Sequence, residues 1–226
     1  MNTAIIVAAG KSTRMGPNID KAFLSLGPRP VIAWSLLAFE QCQDIDQIVL
    51  VVRRDQITAA QSVAGMFGIS KIKAIVPGAG KRQDSVINGM KAMDPDTRIV
   101  VVHDSARPCV TAELISNVIK SAKRNGCGIA ASPVYDTVKY VERGMTVDHT
   151  VDRSKLWAVQ TPQAFQASLL TKAYKKVEDE KVVVTDEAGA VELLGEPVRL
   201  VEWKKPNFKI TTAEDLAVAT AILELK

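Results

Sequence analysis

Thr3-Ala-Ile-Ile-Val-Ala-Ala-Gly-Lys-Ser-Thr-Arg-Met-Gly16, with Lys21 just beyond it, joins an apolar run to a small, basic loop. Residues 3–9 form a short, almost wholly apolar run, the pattern of a strand buried on both faces of a parallel sheet. The run breaks abruptly into small residues, two glycines, a lysine and an arginine. Gly10 and Gly16 carry no Cβ, so the backbone can turn tightly and come close to a ligand. Backbone N–H groups in such a turn, with Arg14 and Lys21 beside them, suit a polyphosphate. Two common phosphate motifs are excluded. A P-loop needs a glycine five residues before Gly10, where Ile5 stands, and G-x-G-x-x-G fails because only Gly10 and Gly16 are present. The plainer reading is a strand-to-helix turn with solvated basic residues. The succession Gly, Lys, Ser, Thr, Arg, Gly, then Asp20-Lys21 favours a phosphate site over it.

Beyond this stretch, strands and helices alternate. Residues 29–41 read as a helix with one broad apolar face, and residues 46–52 as a second buried strand. Asp55 is placed to cap a helix running to about Phe67, which Gly68 stops. A third strand at residues 72–76 leads into Pro77-Gly-Ala-Gly-Lys-Arg82 and a helix over residues 83–93. A fourth at residues 98–102 leads into His103-Asp-Ser-Ala-Arg-Pro108. Thr111 caps the next helix, Asn125-Gly126 ends it, and residues 127–132 give a fifth strand. Repeated βα units with short loops imply right-handed crossovers and an α/β fold with a mainly parallel, twisted sheet covered on both faces. Ligands of such sheets lie beyond the carboxyl ends of the strands, where the loops at 8–21, 77–85 and 103–108 carry polar residues.

The pattern changes at residues 134–154, where alternation runs up to and away from Arg143-Gly144, a β-hairpin signature. A two-stranded hairpin is marginal alone. It reads either as an arm reaching over a partner subunit or as a hairpin folded back on its own domain. Beyond it, residues 157–160 read as a short strand leading into Thr161-Pro-Gln163. Helices follow at residues 166–178 and 186–194, and strands at 197–202 and 207–210. Thr212 is placed to cap a closing helix with Glu214 and Asp215 near its N-terminus. No repeat or linker interrupts the chain, so residues 1–226 are expected to form a single domain carrying an arm.

Composition narrows the function. The chain has 226 residues, 47% hydrophobic and 24% charged, with a formal net charge of +4. That length can bury a sizeable core, and the mild positive charge suits an anionic small molecule rather than nucleic acid. The N-terminal apolar run is too short and wrongly flanked for a secretory signal, and no stretch has the length of a membrane span. Cys42, Cys109 and Cys127 are widely spaced and odd in number, which reads as reduced thiols in a cytoplasmic protein. With only His103 and His149, a zinc site or a Ser-His-Asp triad is disfavoured.

The ordered set of residues now has a resemblance. Ala8-Ala-Gly-x-x-x-Arg-Met15, Lys21, Arg82-x-Asp84-Ser85-Val86 and His103-Asp-x-Ala-Arg-Pro108 resemble nucleotidyltransferases with a Rossmann-like sheet. Joined by Asp136-Thr137-x-Lys139, Thr150-Val-Asp-Arg153, Gln160-Thr-Pro-Gln163, Thr185-Asp-Glu187-Ala188 and Asn207-x-Lys209-Ile210-Thr211, the set is similar to the 2-C-methyl-D-erythritol 4-phosphate cytidylyltransferase family. The similarity runs from the first strand to the last helix.

The resemblance implies transfer of the cytidylyl group of CTP to a polyol phosphate, with Mg²⁺, pyrophosphate release and no organic cofactor. The residue types agree with that chemistry. A phosphate monoester is largely dianionic near neutral pH, its second pKa being about 6, so no Ser, Cys or His is needed to generate the nucleophile. Positioning and cationic stabilisation should dominate. By resemblance, Arg14 and Lys21 stabilise the transition state. Lys11 helps with the nucleotide, and Ala8, Ala9, Gly10, Met15, Gly78, Ala79, Gly80, Arg82, Ser85 and Ala106 surround it. Small residues fit base readout by backbone groups. Asp104 either binds Mg²⁺ or hydrogen-bonds a substrate hydroxyl, the plainer alternative being a loop carboxylate paired with Arg107. Arg107, Thr137, Arg153, Thr161, Thr185 and Lys209 complete the acceptor set, with Arg153 and Lys209 on its phosphate. Thr137 would serve the other subunit of a homodimer. His103 is read as structural, because the reaction needs no base. Rivals are a ribitol 5-phosphate cytidylyltransferase, a catalytically silent nucleotide-binding module, and guanylyl transfer in molybdopterin metabolism. The last leaves the hairpin and the 207–211 segment unexplained.

Overall fold

The computed structural model describes residues 1–10, 15 and 20–225. Strand β1 (Asn2–Ala8) is followed by a small ribbon, β2 (Ser25–Leu26) and β3 (Arg29–Pro30), and by α1 (Val31–Gln41). The alternation continues through β4 (Gln47–Val52), α2 (Ile57–Met66), β5 (Ile72–Pro77), α3 (Arg82–Lys91), β6 (Ile99–Asp104), α4 (Ala112–Asn125) and β7 (Cys127–Pro133). Then come the arm strands β8 (Lys139–Tyr140) and β9 (His149–Thr150), β10 (Trp157–Gln166), α5 (Ala167–Glu180), α6 (Glu187–Glu192), β11 (Leu200–Glu202) and α7 (Glu214–Ile222).

Seven strands form one sheet in the order β11-β7-β10-β6-β1-β4-β5. The apolar runs of β1, β4 and β6 pair in parallel register, Ile5 opposite both Val49 and Val102. Alternate residues feed opposite faces, as strand geometry requires. Ala4, Ile6, Leu50 and Val101 pack with α1 and α4 residues such as Leu36, Phe39, Leu114 and Val118. Ile5, Val49, Val51, Val100 and Val102 pack with Val86 and Ile87 of α3 and Leu170 and Val177 of α5. Gly89 lets α3 lie close on this second face, since a Cβ there would sit 2.6 Å from Ile5 Cγ2. The chain builds β4 and β5 on one side of β1, then returns to place β6 on the other. The connections of β1 and β6 therefore diverge, which opens a crevice at their carboxyl ends.

Several local readings need correction. The first helix begins at Val31, not Arg29: Pro30 occupies its N-cap position and Arg29-Pro30 form β3, because Gly27 at φ +61° turns the chain into a ribbon. Asp55 does not cap α2; its carboxylate pairs with Arg53, and a 3-10 turn over Arg54–Gln56 precedes the helix. The strand read at residues 157–160 extends to Gln166 as β10. It enters the sheet antiparallel between β6 and β7, with a register shift between Val159 and Gln163. Residues 207–210 are irregular and form no strand. Thr212 does not cap α7; Asp215 Oδ2 instead accepts from the Thr211 and Thr212 N–H groups at 2.7 and 2.9 Å. The arm has only a two-residue ladder, Lys139 opposite Thr150 and Tyr140 opposite His149. Thr111 behaves as read, its hydroxyl accepting from Leu114 N at 3.2 Å, and Gly126 ends α4 at φ +88°.

Candidate active site

Three of the loops predicted to converge leave β1, β5 and β6 at the same edge of the sheet. Gly78, just after β5, donates its N–H to the Val52 carbonyl at 2.7 Å. A Cβ on Gly78 would lie 2.2 Å from Ala9 Cβ and 3.0 Å from Ser85 Oγ. Any larger residue would force the β1 and β5 loops apart. Ser85, in the first turn of α3, accepts from the Ala79 N–H at 2.9 Å and donates to the Lys81 carbonyl at 3.1 Å. Ala8 and Ser85 are buried, while Gly10, Ala79 and Gly80 are exposed, so the mouth between these loops is lined by small residues and backbone. The β6 loop is tied in by Ser105, whose N–H donates to Val7 O at 3.0 Å and whose carbonyl accepts from Ser35 Oγ of α1 at 3.0 Å. Ala106 is buried, with its carbonyl accepting from Ile210 N at 2.8 Å. Met15 packs against the apolar cluster of Leu26, Val31 and Ile210. Lys11 and Arg14 lie outside the described residues.

A row of charged side chains crosses this edge. Asp104, the last residue of β6, accepts from Arg82 Nε through Oδ1 at 3.0 Å and from Lys209 Nζ through Oδ2 at 2.5 Å. Burial alone would push the Asp104 carboxyl up, but Arg82 and Lys209 overcome that and hold it well below the usual carboxylate range. Asp104 is therefore ionised at neutral pH. Arg82 spends its remaining fork on Glu187, through Nη1 to Oε1 at 2.7 Å and Nη2 to Oε2 at 3.1 Å. Burial works against its charge, yet Glu187 and Asp104 push the guanidinium's pKa further up. Arg107 does not take the pairing with Asp104 that one reading allowed. Its Nη1 donates to the Asn207 carbonyl at 2.7 Å.

The segment at residues 207–211 folds under the same loops. Asn207 is buried and donates to Gln160 Oε1 and the Thr161 carbonyl, both at 2.9 Å. These bonds are why the segment is irregular: its polar groups are met by side chains and by the β6 loop instead of a strand partner. Lys21 donates to the Ile210 carbonyl at 3.0 Å, next to Lys209. Lys21, distant in sequence, is thus anchored on the backbone of the residue next to Lys209.

Thr161 is buried, and its hydroxyl accepts from the Asp104 N–H at 3.0 Å and bonds His103 Nδ1 at 3.1 Å. It holds the end of β6 at Asp104. His103 is fully buried against Phe39, and burial drives its pKa down to about 3. It is a neutral structural histidine, as read. Thr185 is exposed just before α6. Thr137 and Arg153 lie on the arm, both exposed, with Arg153 Nη1 donating to the Tyr135 carbonyl. Among the described residues neither joins the Asp104 row by a hydrogen bond or ion pair.

The donor set bears on Mg²⁺. Mg²⁺ usually takes one or two carboxylates and keeps waters or phosphate oxygens. Both Asp104 oxygens are already engaged by cations. Among the described residues, no group of three or more His, Cys, Asp or Glu could hold a metal. Direct ligation by Asp104 does not fit this arrangement. No helix among the described residues is long and apolar enough to cross a membrane. Cys42, Cys109 and Cys127 are buried free thiols.

Three residues escaped the sequence reading. Glu187 and Tyr174 extend the charged row, and Gln83 accepts from Val184 N at 3.0 Å, fixing the segment before α6 to α3. Glu187 stood inside a quoted motif, yet nothing in its spacing marked it as buried.

Comparison with known proteins agrees with this geometry. The family described as IspD, 2-C-methyl-D-erythritol 4-phosphate cytidylyltransferase, matches residues 2–225. The chain is similar to a 2-C-methyl-D-erythritol 4-phosphate cytidylyltransferase of Desulforamulus reducens, 45% identical over 98% of this chain and 95% of that one. A protein of the same description from Alkaliphilus oremlandii is 42% identical over 99% and 95%. The crystal structure of 4-diphosphocytidyl-2C-methyl-D-erythritol synthase from Anaerococcus prevotii superposes with a TM-score of 0.86 at 33% identity, covering 99% of this chain and 98% of that one. With sheet, loops and sequence in agreement, the chain belongs to the 2-C-methyl-D-erythritol 4-phosphate cytidylyltransferase family.

Proposed function

We propose that the protein transfers the cytidylyl group of CTP to the phosphate of 2-C-methyl-D-erythritol 4-phosphate. The products are 4-diphosphocytidyl-2-C-methyl-D-erythritol and pyrophosphate, in isoprenoid precursor biosynthesis in the cytoplasm. The observation that carries this reading is the anchoring of Lys21 on the Ile210 carbonyl, one residue from Lys209, which is itself held by Asp104 at the switch point of the sheet. The reaction brings one anion onto another, and two lysines tied to neighbouring residues of one segment supply the positive charge it needs.

The small-residue mouth formed by Ala8, Ala9, Gly10, Gly78, Ala79 and Gly80, with Ser85 behind it, receives the cytosine by backbone contacts. Ala106 borders the ribose. A phosphate oxygen of the acceptor attacks the α-phosphorus of CTP, and the bond to the bridging oxygen breaks, the electron pair leaving with pyrophosphate. The nucleophile is already ionised, so no residue has to remove a proton. Arg14 and Lys21 stabilise charge at the α-phosphorus and on the departing group, an electrostatic effect of the kind that dominates many enzymes. Lys209 and Arg153 orient the acceptor phosphate, with Arg153 and Thr137 supplied by the arm of a second copy in a homodimer. Mg²⁺ would be held by the CTP phosphates rather than by Asp104 and would supply charge neutralisation there. Asp104 holds Lys209 in place.

Pyrophosphate release with CTP and Mg²⁺ tests the reading, comparing methylerythritol phosphate with ribitol 5-phosphate as acceptor. Turnover with the first alone is expected. Turnover with ribitol 5-phosphate instead would move the protein to a sister activity, and CTP binding without release from either would make it a binding module.

A further inference from the structure

The row of ion pairs continues inward past the groups that could touch a substrate. Glu187 is fully buried, and a buried carboxylate costs several kcal/mol unless it is paired and hydrogen-bonded. Here both oxygens are engaged. Oε1 accepts from Arg82 Nη1 at 2.7 Å and from the Tyr174 hydroxyl at 2.9 Å, while Oε2 accepts from Arg82 Nη2 at 3.1 Å. Burial, reinforced by the Glu187 carboxylate, pushes the Tyr174 phenol up, so it stays a donor. Tyr174 of α5, Glu187 of α6, Arg82 of α3, Asp104 of β6 and Lys209 therefore form one continuous chain. It joins five separate segments, with the charge sign alternating from Glu187 onward.

The geometry has a direction. A guanidinium gripped fork-on-fork by one carboxylate can offer only its other edge to a second. Glu187 therefore dictates which edge of Arg82 meets Asp104 Oδ1, and that contact turns Oδ2 towards Lys209. Glu187 is wholly buried and Tyr174 nearly so, which keeps both out of reach of either substrate. Packing alone would be served as well by apolar residues of similar volume.

We propose that Glu187, fixed by the Tyr174 hydroxyl, is a positioning residue for acceptor binding, acting through Arg82 and Asp104 on the Lys209 ammonium. This rests on the assignment of Lys209 to the acceptor phosphate.

Two readouts test it. In steady-state kinetics at saturating CTP, Glu187→Gln keeps the side-chain shape but sets an amide N–H₂ against the guanidinium. The acceptor KM should rise about tenfold while the CTP KM stays within about twofold. Tyr174→Phe, the gentler change should Glu187→Gln fail to fold, should raise the acceptor KM about threefold. In a Lys209→Ala background, Glu187→Gln should add nothing, since both changes then act on one chain of contacts. Equal rises in both KM values, or effects that multiply in the double variant, would overturn the proposal.

The second readout needs no turnover. Acetylation of Lys209 by acetic anhydride, followed by mass spectrometry, should be several-fold faster in Glu187→Gln or Tyr174→Phe than in the parent, with exposed Lys175 unchanged. Unchanged Lys209 labelling would remove the relay whatever the acceptor. Faster labelling in a protein that does not turn over methylerythritol phosphate would instead remove the acceptor assignment and leave the relay standing.

Discussion

Asp104 and Lys209 lie in a row of buried and half-buried ion pairs, whereas Thr137 and Arg153, assigned to the same acceptor, lie on an exposed arm held by a two-residue ladder. The row is complete within one chain. Each charge has its partner, and its members come from elements already fixed by the two apolar faces of the sheet. The arm is the reverse. Tyr135, Met145 and Val147 are exposed along it, Met145 to 95%, and its own ladder is too short to hold it rigid. These exposed apolar side chains support the proposal that the arm docks on a second copy. One half of the proposed acceptor site is thus preorganised, and the other is proposed to take its order from a second copy of the chain.

Predictions that separate the two regions run from large to small. On the preorganised side, Lys21→Ala should lower kcat about 10²–10³-fold with little change in acceptor KM, as loss of a single transition-state donor does. Stopped-flow or steady-state rates check this, and an unchanged kcat would remove Lys21 from the transition state. Gly78→Ala should cost about 1–3 kcal/mol in urea unfolding and weaken CTP binding, because its Cβ would meet Ala9 at 2.2 Å. Acid should loosen the preorganised side first. Burial lowers the folded pKa of His103 from an ordinary 6.5 to about 3, so the unfolded chain binds the extra proton between those values. The His103 contribution is fully present above pH 6.5 and is lost as pH falls towards about 3, at about 1.4 kcal/mol per pH unit. Unfolding at a series of pH values should show that slope in the parent and not in His103→Gln. On the arm side, Met145→Ser should change unfolding stability by less than about 0.5 kcal/mol, as exposed substitutions do, while shifting the sedimentation coefficient towards that of a monomer.

The two regions also differ in how far the sequence revealed them. The parallel strands were legible because a run such as residues 47–52, buried throughout, suits only a strand covered on both faces. The contact of the β1 and β5 loops was foreshadowed by small residues at Ala9 and Gly78. The antiparallel entry of β10 was not legible, since an apolar run carries no sign of its direction or of which strands it will separate. Residues 207–210, read as a strand, are irregular because the Asn207 side chain and the Ala106 carbonyl supply other partners. Glu187 looked like any helix-opening acid near an N-terminus. Only the packing of α5 and α6 against α3 makes it the buried partner of Arg82.

The claim that the two regions meet across subunits is tested most directly by mixing Lys209→Ala with Arg153→Ala, after denaturation and refolding together, and measuring pyrophosphate release. Each variant alone should be close to inactive. If the arm serves the second copy, random pairing makes half of the dimers mixed, and each mixed dimer has one intact site. About a quarter of the parental rate should then return. A mixture no more active than its two components would contradict the account and return the arm to its own subunit.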